Sequence, residues 1–321
     1  MKKYLSGLLV FCLFISSTIV ASAAFEDVSR EHWAVDEITF LTDKKVISGF
    51  PDRTFRPQAQ VTRLQAMILM AQALKLDLKN RPDPGFKDLS KSNANYKYAA
   101  AIVDEGIFPK VTYLNPNQPI TRELMARMIA IGFKLKPTGQ NKFADVPSSH
   151  WAHPYVSALA DNNITLGYSE GKFEPSKTLT RGQFSVFLAR ALNDRYKTFN
   201  FYNKRFNFIL PLPNYMKDKL TYNTTIEGGI YYTSFYYNDQ TFLNNSFWVG
   251  GIDQVHKSKK SIYDNPWSVF VKQSGDYYYY FELPHEHPYA NVDPYYSSRE
   301  AKEYFQYANR LFNMSKSIQS Q

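Results

Sequence analysis

The sequence predicts a multi-domain protein in which an all-α domain of pseudo-threefold symmetry precedes an α+β domain. Two observations lead to this prediction: a set of motifs occurs three times between residues 25 and 192, and tyrosine-rich alternating segments replace the helical periodicity after about residue 194. A helix pair of this size cannot bury its own apolar face, so three such pairs must pack on one another. The predicted segments are 1–23 (signal peptide), 24–82, 83–140 and 141–194 (repeats 1, 2 and 3) and 195–321 (a Tyr-rich α+β cargo domain).

The first 23 residues have the three parts of a secretory signal peptide. Lys2 and Lys3 give a positive start, residues 8–20 form an apolar stretch, and small residues end the segment at Ala23. No later segment reaches the roughly 20 apolar residues that a membrane helix needs. We therefore expect an exported chain that leaves the membrane after cleavage. Because Cys12 is the only cysteine, disulfides, thiolate metal sites and cysteine nucleophiles are excluded from the exported chain.

The chain carries a modest positive charge. Its net charge of +9 at pH 7 falls to +7 once Lys2 and Lys3 are removed. No block of lysine and arginine residues marks a nucleic-acid-binding segment, so we expect no nucleic-acid partner. For an exported protein, this balance favours association with an anionic wall surface.

Each repeat is predicted as helix, loop, helix. The distance from the opening Phe to the Thr of a Thr-Arg pair is 37, 35 and 37 residues. Thr62 with Gln65, and Thr180 with Gln183, form capping boxes at the second helix, whereas Thr121 lacks such a partner. First helices carry an apolar stripe at helical spacing. The stripe consists of Ile38 and Leu41, Ala99 and Ile102, and Val156 and Leu159.

The combined motifs resemble the S-layer homology domain in three tandem copies. They are Phe-x-Asp, His-Trp-Ala, Gly-Phe or Gly-Tyr, Phe-x-Pro and Thr-Arg, and they cover about residues 25–192. The resemblance implies a three-pronged assembly that anchors surface proteins of Gram-positive bacteria, non-covalently, to pyruvylated secondary cell-wall polysaccharide. In the family, the Arg of Thr-Arg and the flanking loops contact the pyruvate carboxylate and the sugar in grooves between prongs. It also implies a location at the cell wall and requires no cofactor.

The candidate polysaccharide-binding residues are of three kinds. An arginine at a helix start adds a guanidinium to free backbone N–H groups, and both favour a carboxylate. A tryptophan offers apolar area to a sugar ring. For each kind a structural interpretation stays open: surface ion pairs for arginine, core packing for tryptophan and turn ordering for aspartate. The candidates are Arg63, Arg122, Arg181, Trp33, Trp151, Asp27, Asp88, Asp145, Gly49 and Gly167.

Repeat 2 departs from the shared pattern. Ala94 occupies the tryptophan position, and the central loop is two residues shorter and lacks the Gly-Tyr pair. One groove is therefore expected to be degraded. On this basis Arg122→Ala is expected to weaken wall binding less than Arg63→Ala or Arg181→Ala.

The last domain contains 18 of the 24 tyrosines. Alternating segments bounded by Asn, Gly and Pro predict an antiparallel sheet, and the tyrosines at 277–280 must alternate between its two faces. A final helix is predicted after Ser297, with Glu300 completing its capping box. The predicted strands are 206–210, 229–237, 246–249, 267–271 and 277–283, and the helix face is Ala301, Tyr304, Phe305, Ala308, Leu311 and Phe312.

The sequence indicates no catalytic or metal-binding residue in this domain. His285-Glu286-His287 lies between prolines and is interpreted as an exposed loop. Glu227, Asp276 and Glu282 are candidate carboxylate partners whose separation the sequence does not define. We therefore expect a displayed binding domain rather than an enzyme. A wall-tethered hydrolase and a structural surface-layer-associated protein remain alternatives.

Overall fold

The structure is a computed structural model that describes residues 25–29, 32–137, 143–168, 171–239, 245–262, 268–274, 276–282, 299–315 and 319–320. The predicted signal peptide, Ser297 and the His285-Glu286-His287 segment lie outside these residues. In the ranges described, no helix combines the length and apolar character needed to cross a membrane.

The N-terminal half is helical, as predicted, with two helices in each repeat. They are α1 Val35–Asp43, α2 Arg63–Ala73, α3 Tyr96–Asp104, α4 Arg122–Gly132, α5 His153–Asp161 and α6 Arg181–Leu192. The predicted stripe on the first helix of each repeat is buried in one core that all three repeats share. The repeats therefore fold together rather than as independent units.

A closed ring of backbone hydrogen bonds joins the three repeats. The N–H of Val61 donates to the carbonyl of Leu179 at 3.0 Å, Leu179 donates to Ile120 at 3.2 Å, and Ile120 donates to Val61 at 2.8 Å. Each residue directly precedes the Thr-Arg pair of its repeat. The starts of α2, α4 and α6 consequently meet around one pseudo-threefold axis.

The helix starts are capped as the sequence predicts. Thr62 and Thr180 form complete capping boxes with Gln65 and Gln183. Thr121 makes no side-chain cap. The three second helices thus begin in the same way in the backbone and differ in their side-chain capping.

The C-terminal half is α+β, as predicted, but its strands form two antiparallel sheets instead of one. The strands are β1 Thr198–Asn203, β2 Phe208–Pro213, β3 Leu220–Glu227, β4 Ile230–Asp239, β5 Asn245–His256, β6 Ser268–Ser274, β7 Tyr277–Glu282 and β8 Gln319–Ser320. The smaller sheet has the order β1-β2-β8 and the larger one β3-β4-β5-β7-β6. β1, β3 and β8 were not among the predicted strands.

A long helix, α7 Arg299–Ser315, packs against both sheets through contacts with β2, β4 and β5. Tyr304, Ala308 and Leu311 of the predicted face are buried, and Tyr307 is buried with them. In β7, Tyr279 is fully buried while Tyr278 and Tyr280 lie on the other face against Phe270. The predicted alternation of these tyrosines is confirmed.

The two halves share a buried interface. Arg310 of α7 forms an ion pair with Glu37 of α1, with Nη2 2.5 Å from Oε1, and both side chains are almost wholly buried. Arg310 also donates to the carbonyl of Trp33. Beside this pair, the Tyr215 hydroxyl donates to Asp36 at 2.8 Å. The C-terminal half is therefore docked on repeat 1.

Candidate functional site

Each helix-start arginine contacts the loop of the next repeat. Arg63 Nη1 donates to the Leu114 carbonyl at 3.0 Å, and Arg122 Nε donates to the Phe173 carbonyl at 2.7 Å. Arg181 completes the cycle, since its Nε donates to the Phe55 carbonyl at 2.8 Å. Among the residues described, none of the three forms an ion pair. Each arginine therefore lies at a seam between two repeats, which is where the family resemblance implies a groove.

The backbone amides beside these arginines are already occupied. The N–H of Arg122 donates to Lys177 O at 2.9 Å, and the next N–H, of Glu123, donates to Pro175 O at 2.9 Å. Equivalent bonds form at the starts of α2 and α6. The expectation that free helix-start N–H groups assist in anion binding is therefore wrong, and an anion here depends on side chains.

The Arg122 guanidinium is held among aromatic rings. Its central carbon lies 4.5 Å from the ring centroids of Tyr168 and Phe173 and 5.2 Å from that of Phe187. Burial lowers the pKa of Arg122 from its ordinary value, although Tyr168 and nearby carboxylates oppose this effect. Its two Nη groups donate to no group in the described part of the chain. A largely desolvated cation with open donors favours an anionic ligand.

A groove of about 460 Å³ adjoins this guanidinium. Trp33, Tyr168, Gln183 and Arg190 line it, and its described lining contains no carboxylate. Arg190 donates from Nη1 to the Ile164 carbonyl at 3.0 Å, and its buried Nε has no partner among the described residues. Burial lowers the pKa of Arg190 to about 10. The groove, which we call the Arg122 groove, therefore combines two cations with aromatic surface.

The two candidate tryptophans have different surroundings. Trp151 is 51% exposed and lies beside Tyr155, with ring centroids 6.3 Å apart. Trp33 is half-buried, and it lies so close to Gly182 that a Cβ there would be 3.2 Å from the indole Cζ2. Trp33 therefore belongs partly to the core and partly to the Arg122 groove.

The three candidate aspartates order the loops that receive the arginines. Asp145 accepts from the N–H groups of Phe173 and Glu174 at 2.8 and 2.7 Å. Asp27 and Asp88 bind the equivalent pairs of N–H groups in their own repeats. The structural interpretation of these aspartates placed their role in the turn before the first helix, but their carboxylates instead bind the loop before the second helix. They fix the Phe173 carbonyl, which in turn orients Arg122.

The candidate glycines make room for the opening phenylalanines. A Cβ on Gly49 or Gly167 would lie 2.3 Å from the ring of Phe25 or Phe143, respectively. Gly167 also has a φ of +76°, which side chains rarely adopt. Packing thus accounts for glycine at both positions, and direct glycan contact by either one stays a prediction.

The Arg122 groove is assembled from all three repeats. Arg122 comes from repeat 2, Tyr168 from repeat 3 and Trp33 from repeat 1. The short loop of repeat 2 instead receives Arg63, through Leu114. The sequence-based ranking connected the shortened loop of repeat 2 with Arg122 of the same repeat, whereas the structure places Arg63 at that loop. Arg122, ranked last from the sequence, faces the complete Gly167-Tyr168 loop and a tryptophan.

Sequence reasoning missed Arg190 as a groove residue. The equivalent positions of the other repeats hold Gln72 and Ile131, so no recurring signal pointed to it. Tyr168 belonged to a recognised motif but was not named as a contact. The burial of Arg190 beside Arg122 becomes visible only in the folded chain.

Of the three carboxylates considered in the C-terminal half, Asp276 is engaged separately from the other two. Asp276 pairs with Lys257 at 2.8 Å. Glu227 and Glu282 both lie near Tyr232. Burial is the main cause that raises the pKa of Tyr232, and the charges of Asp253, Glu227 and Glu282 raise it further. Among the described residues, no group of three His, Cys, Asp or Glu side chains is arranged to hold a metal ion.

Comparison with known proteins places the helical half in a known family. Residues 24–67, 85–126 and 142–185 match the family model described as S-layer homology domain. An S-layer protein of Bacillus thuringiensis subsp. finitimus is 28% identical over 197 residues, covering 59% of this chain and 24% of that protein. An uncharacterized cell wall amidase of Bacillus anthracis is 29% identical over 198 residues, covering 59% and 36%.

A third relative, an endoglucanase of a Bacillus species, is 29% identical over 211 residues, covering 60% of this chain and 22% of the endoglucanase. The chain thus spans less than two fifths of the length of each of these three relatives.

Proposed function

Since the chain is a cell-surface protein with three S-layer homology domains, we propose that its grooves bind acidic, pyruvylated cell-wall polysaccharide. The support lies at Arg122, which lines a groove without a described carboxylate and whose Nη groups donate to no described residue. A hydrogen bond to a charged group contributes about 1.5–3 kcal/mol. Several grooves on one domain that meet a repeating polymer add avidity.

We further propose that the C-terminal half acts by binding rather than by catalysis. Of the three carboxylates that the sequence suggests, Asp276 pairs with Lys257, and no catalytic sequence motif accompanies Glu227 and Glu282. The amidase and endoglucanase relatives match over about 60% of this chain, and their names do not transfer an activity to it. Zymography on cell-wall substrate tests this proposal, and clearing by the purified chain would favour a hydrolase.

The anchoring proposal is tested by co-sedimentation of the exported chain with purified sacculi. Three preparations are compared: intact sacculi, sacculi treated with mild acid to hydrolyse pyruvyl ketals, and sacculi stripped of polysaccharide. We expect binding to intact sacculi alone, weakening as salt screens the charges. Binding to the acid-treated form would remove the role of pyruvate, and equal binding to all three would remove polysaccharide recognition altogether.

From the placement of the arginines we expect a ranking different from the one suggested by the sequence. Arg122→Ala is expected to reduce sacculus binding more than Arg63→Ala, because Arg63 faces the shortened loop of repeat 2. Circular dichroism must confirm that both variants stay folded, since each arginine also holds a neighbouring carbonyl. Tyr168→Ala provides a second test of the same groove. Equal losses for Arg63→Ala and Arg122→Ala would contradict the new order.

A further inference from the structure

The Arg122 groove is bounded by both halves of the chain. Besides the residues of the repeats, its lining includes Thr198 of β1, Pro211 of β2 and Met314 of α7. Thr198 and Pro211 are buried, and Met314 is half-buried. The C-terminal half therefore contributes a mainly apolar wall to a groove whose charged residues come from the repeats.

Two contacts hold this wall in place. The N–H of Thr198 donates to the carbonyl of Asn163 in repeat 3 at 3.2 Å. Arg310, four residues before Met314, pairs with buried Glu37 and donates to the carbonyl of Trp33. Trp33 also lines the groove, so the residue that α7 binds through Arg310 is itself part of the groove.

The combined lining matches the chemistry of an acidic saccharide. Arg122 and Arg190 provide positive charge, and no carboxylate of the described lining competes for it. A sugar ring also has apolar C–H faces, for which aromatic and aliphatic side chains provide contact area. The wall of Pro211 and Met314 extends that area beyond Trp33 and Tyr168.

We propose that an acidic wall glycan binds across this junction, with its acidic group on Arg122 and a sugar ring against Pro211 and Met314. This inference rests on the proposed anchoring function and adds the C-terminal half to the binding site. The C-terminal half is then part of the anchor, and not only its cargo. Reciprocal linkage follows: glycan binding strengthens docking of the C-terminal half by the same factor by which docking strengthens glycan binding.

The test places opposite charges on the wall. Met314→Lys and Met314→Glu are compared in the exported chain by titration with purified, pyruvylated wall polysaccharide. We expect Lys to tighten and Glu to weaken binding by about two- to fivefold each, the range for a partly exposed charge interaction. Gln273→Lys and Gln273→Glu are the matched controls, because Gln273 is exposed on β6 and lies outside the groove lining.

The possible outcomes distinguish failure of the composite groove from failure of the proposed anchoring function. Opposite shifts at Met314 with little change at Gln273 support the composite groove. Equal shifts at both positions, or no shift at Met314 while the unaltered chain binds, overturn it and leave anchoring intact. Failure of the unaltered chain to bind the polysaccharide overturns the anchoring function and the inference with it.

A second measurement needs no substitution. With ¹³C-labelled methionine methyl groups in the unaltered chain, added polysaccharide should shift the Met314 signal. Met216 is the internal control, because it is fully buried in the C-terminal core and absent from the groove lining. A shift confined to methionines of the repeats would overturn the proposal.

Discussion

The histidine of the His-Trp-Ala motif has a structural role that its residue type explains. His32 Nδ1 accepts a hydrogen bond from the N–H of Ala34 at 3.2 Å, and His150 Nδ1 accepts from Ala152 at 3.1 Å. Both bonds precede a first helix and need an unprotonated Nδ1. Burial lowers the pKa of His32, although the charge of Asp27 opposes this effect.

The lowered pKa of His32 predicts a loss of stability in mild acid. Below the unfolded pKa of about 6.5, the unfolded chain binds more protons than the folded chain. The contribution of His32 is therefore complete above that pH and is lost as the pH falls through the folded pKa. His32→Asn keeps an acceptor without a titrating ring. Urea unfolding from pH 7.5 to 5 should show a smaller loss in this variant, and identical losses would contradict the assignment.

Gly167 and Gly171 form a matched pair for separating backbone strain from packing. Both have positive φ, +76° and +66°, but an added Cβ would collide with Phe143 and the Lys172 carbonyl only at Gly167. Gly171→Ala should lower the free energy of unfolding by about 1–2 kcal/mol, because alanine must adopt the left-handed conformation. Gly167→Ala should lower it by about 1–3 kcal/mol more, because the added methyl group also overpacks the site. Urea denaturation measures the difference, and equal costs would mean that the Phe143 ring moves aside freely.

At the scale of elements, α2, α4 and α6 occupy equivalent positions in the three repeats but differ in the capping of their first turn. Thr62→Ala and Thr180→Ala each remove a side-chain cap and should lower the free energy of unfolding by about 1 kcal/mol. Thr121→Ala removes a threonine that makes no such bond and should cost distinctly less. Thermal or urea unfolding of the three variants provides the comparison. A cost at Thr121 equal to the other two would contradict the capping explanation.

The helices could be predicted from the sequence because spacing, caps and repetition all indicated the same elements. β3 was missed because most of its side chains are exposed, so the alternation that marks a half-buried strand is weak. It lies at the edge of the larger sheet. The division into two sheets depends on pairings such as β8 with β2, which join distant parts of the chain and leave no local pattern.

The grooves were only partly predictable for a related reason. The arginines recur in register, so the sequence identified them as candidates. Their partners could not be identified in the same way, because Arg122 crosses into repeat 3 and Arg181 into repeat 1. A cyclic exchange of contacts between repeats is a property of the closed ring, and a degenerate repeat therefore affects the groove of its neighbour.

At the scale of the whole molecule, the decisive contact joins residues 273 positions apart, Glu37 and Arg310. Burial opposes the charged form of Arg310, but Glu37, Tyr215 and Asp36 together more than offset this and raise the pKa of Arg310 above its ordinary value. The Arg190 side chain lies in the same electrostatic environment. The docking of the two halves thus depends on a charge balance inside the interface.

Replacing only one member of the buried Glu37–Arg310 pair should therefore destabilise the protein far more than replacing both members together. Glu37→Leu or Arg310→Met alone leaves an uncompensated buried charge and should cost about 3–5 kcal/mol. The double variant should recover much of this loss, because a well-packed apolar pair avoids the desolvation cost. Urea unfolding of both single variants and the double variant measures the coupling free energy.

Lys257→Met is the matched control for this cycle, because its ion pair with Asp276 is exposed and should contribute little to stability. If the single variants at Glu37 and Arg310 unfold no more easily than Lys257→Met, the halves are not docked through this pair. If the single variants unfold more easily than Lys257→Met, they should also weaken polysaccharide binding, because Arg310 holds the carbonyl of Trp33 beside the groove. The stability of the interface and the affinity of the anchor would then vary together.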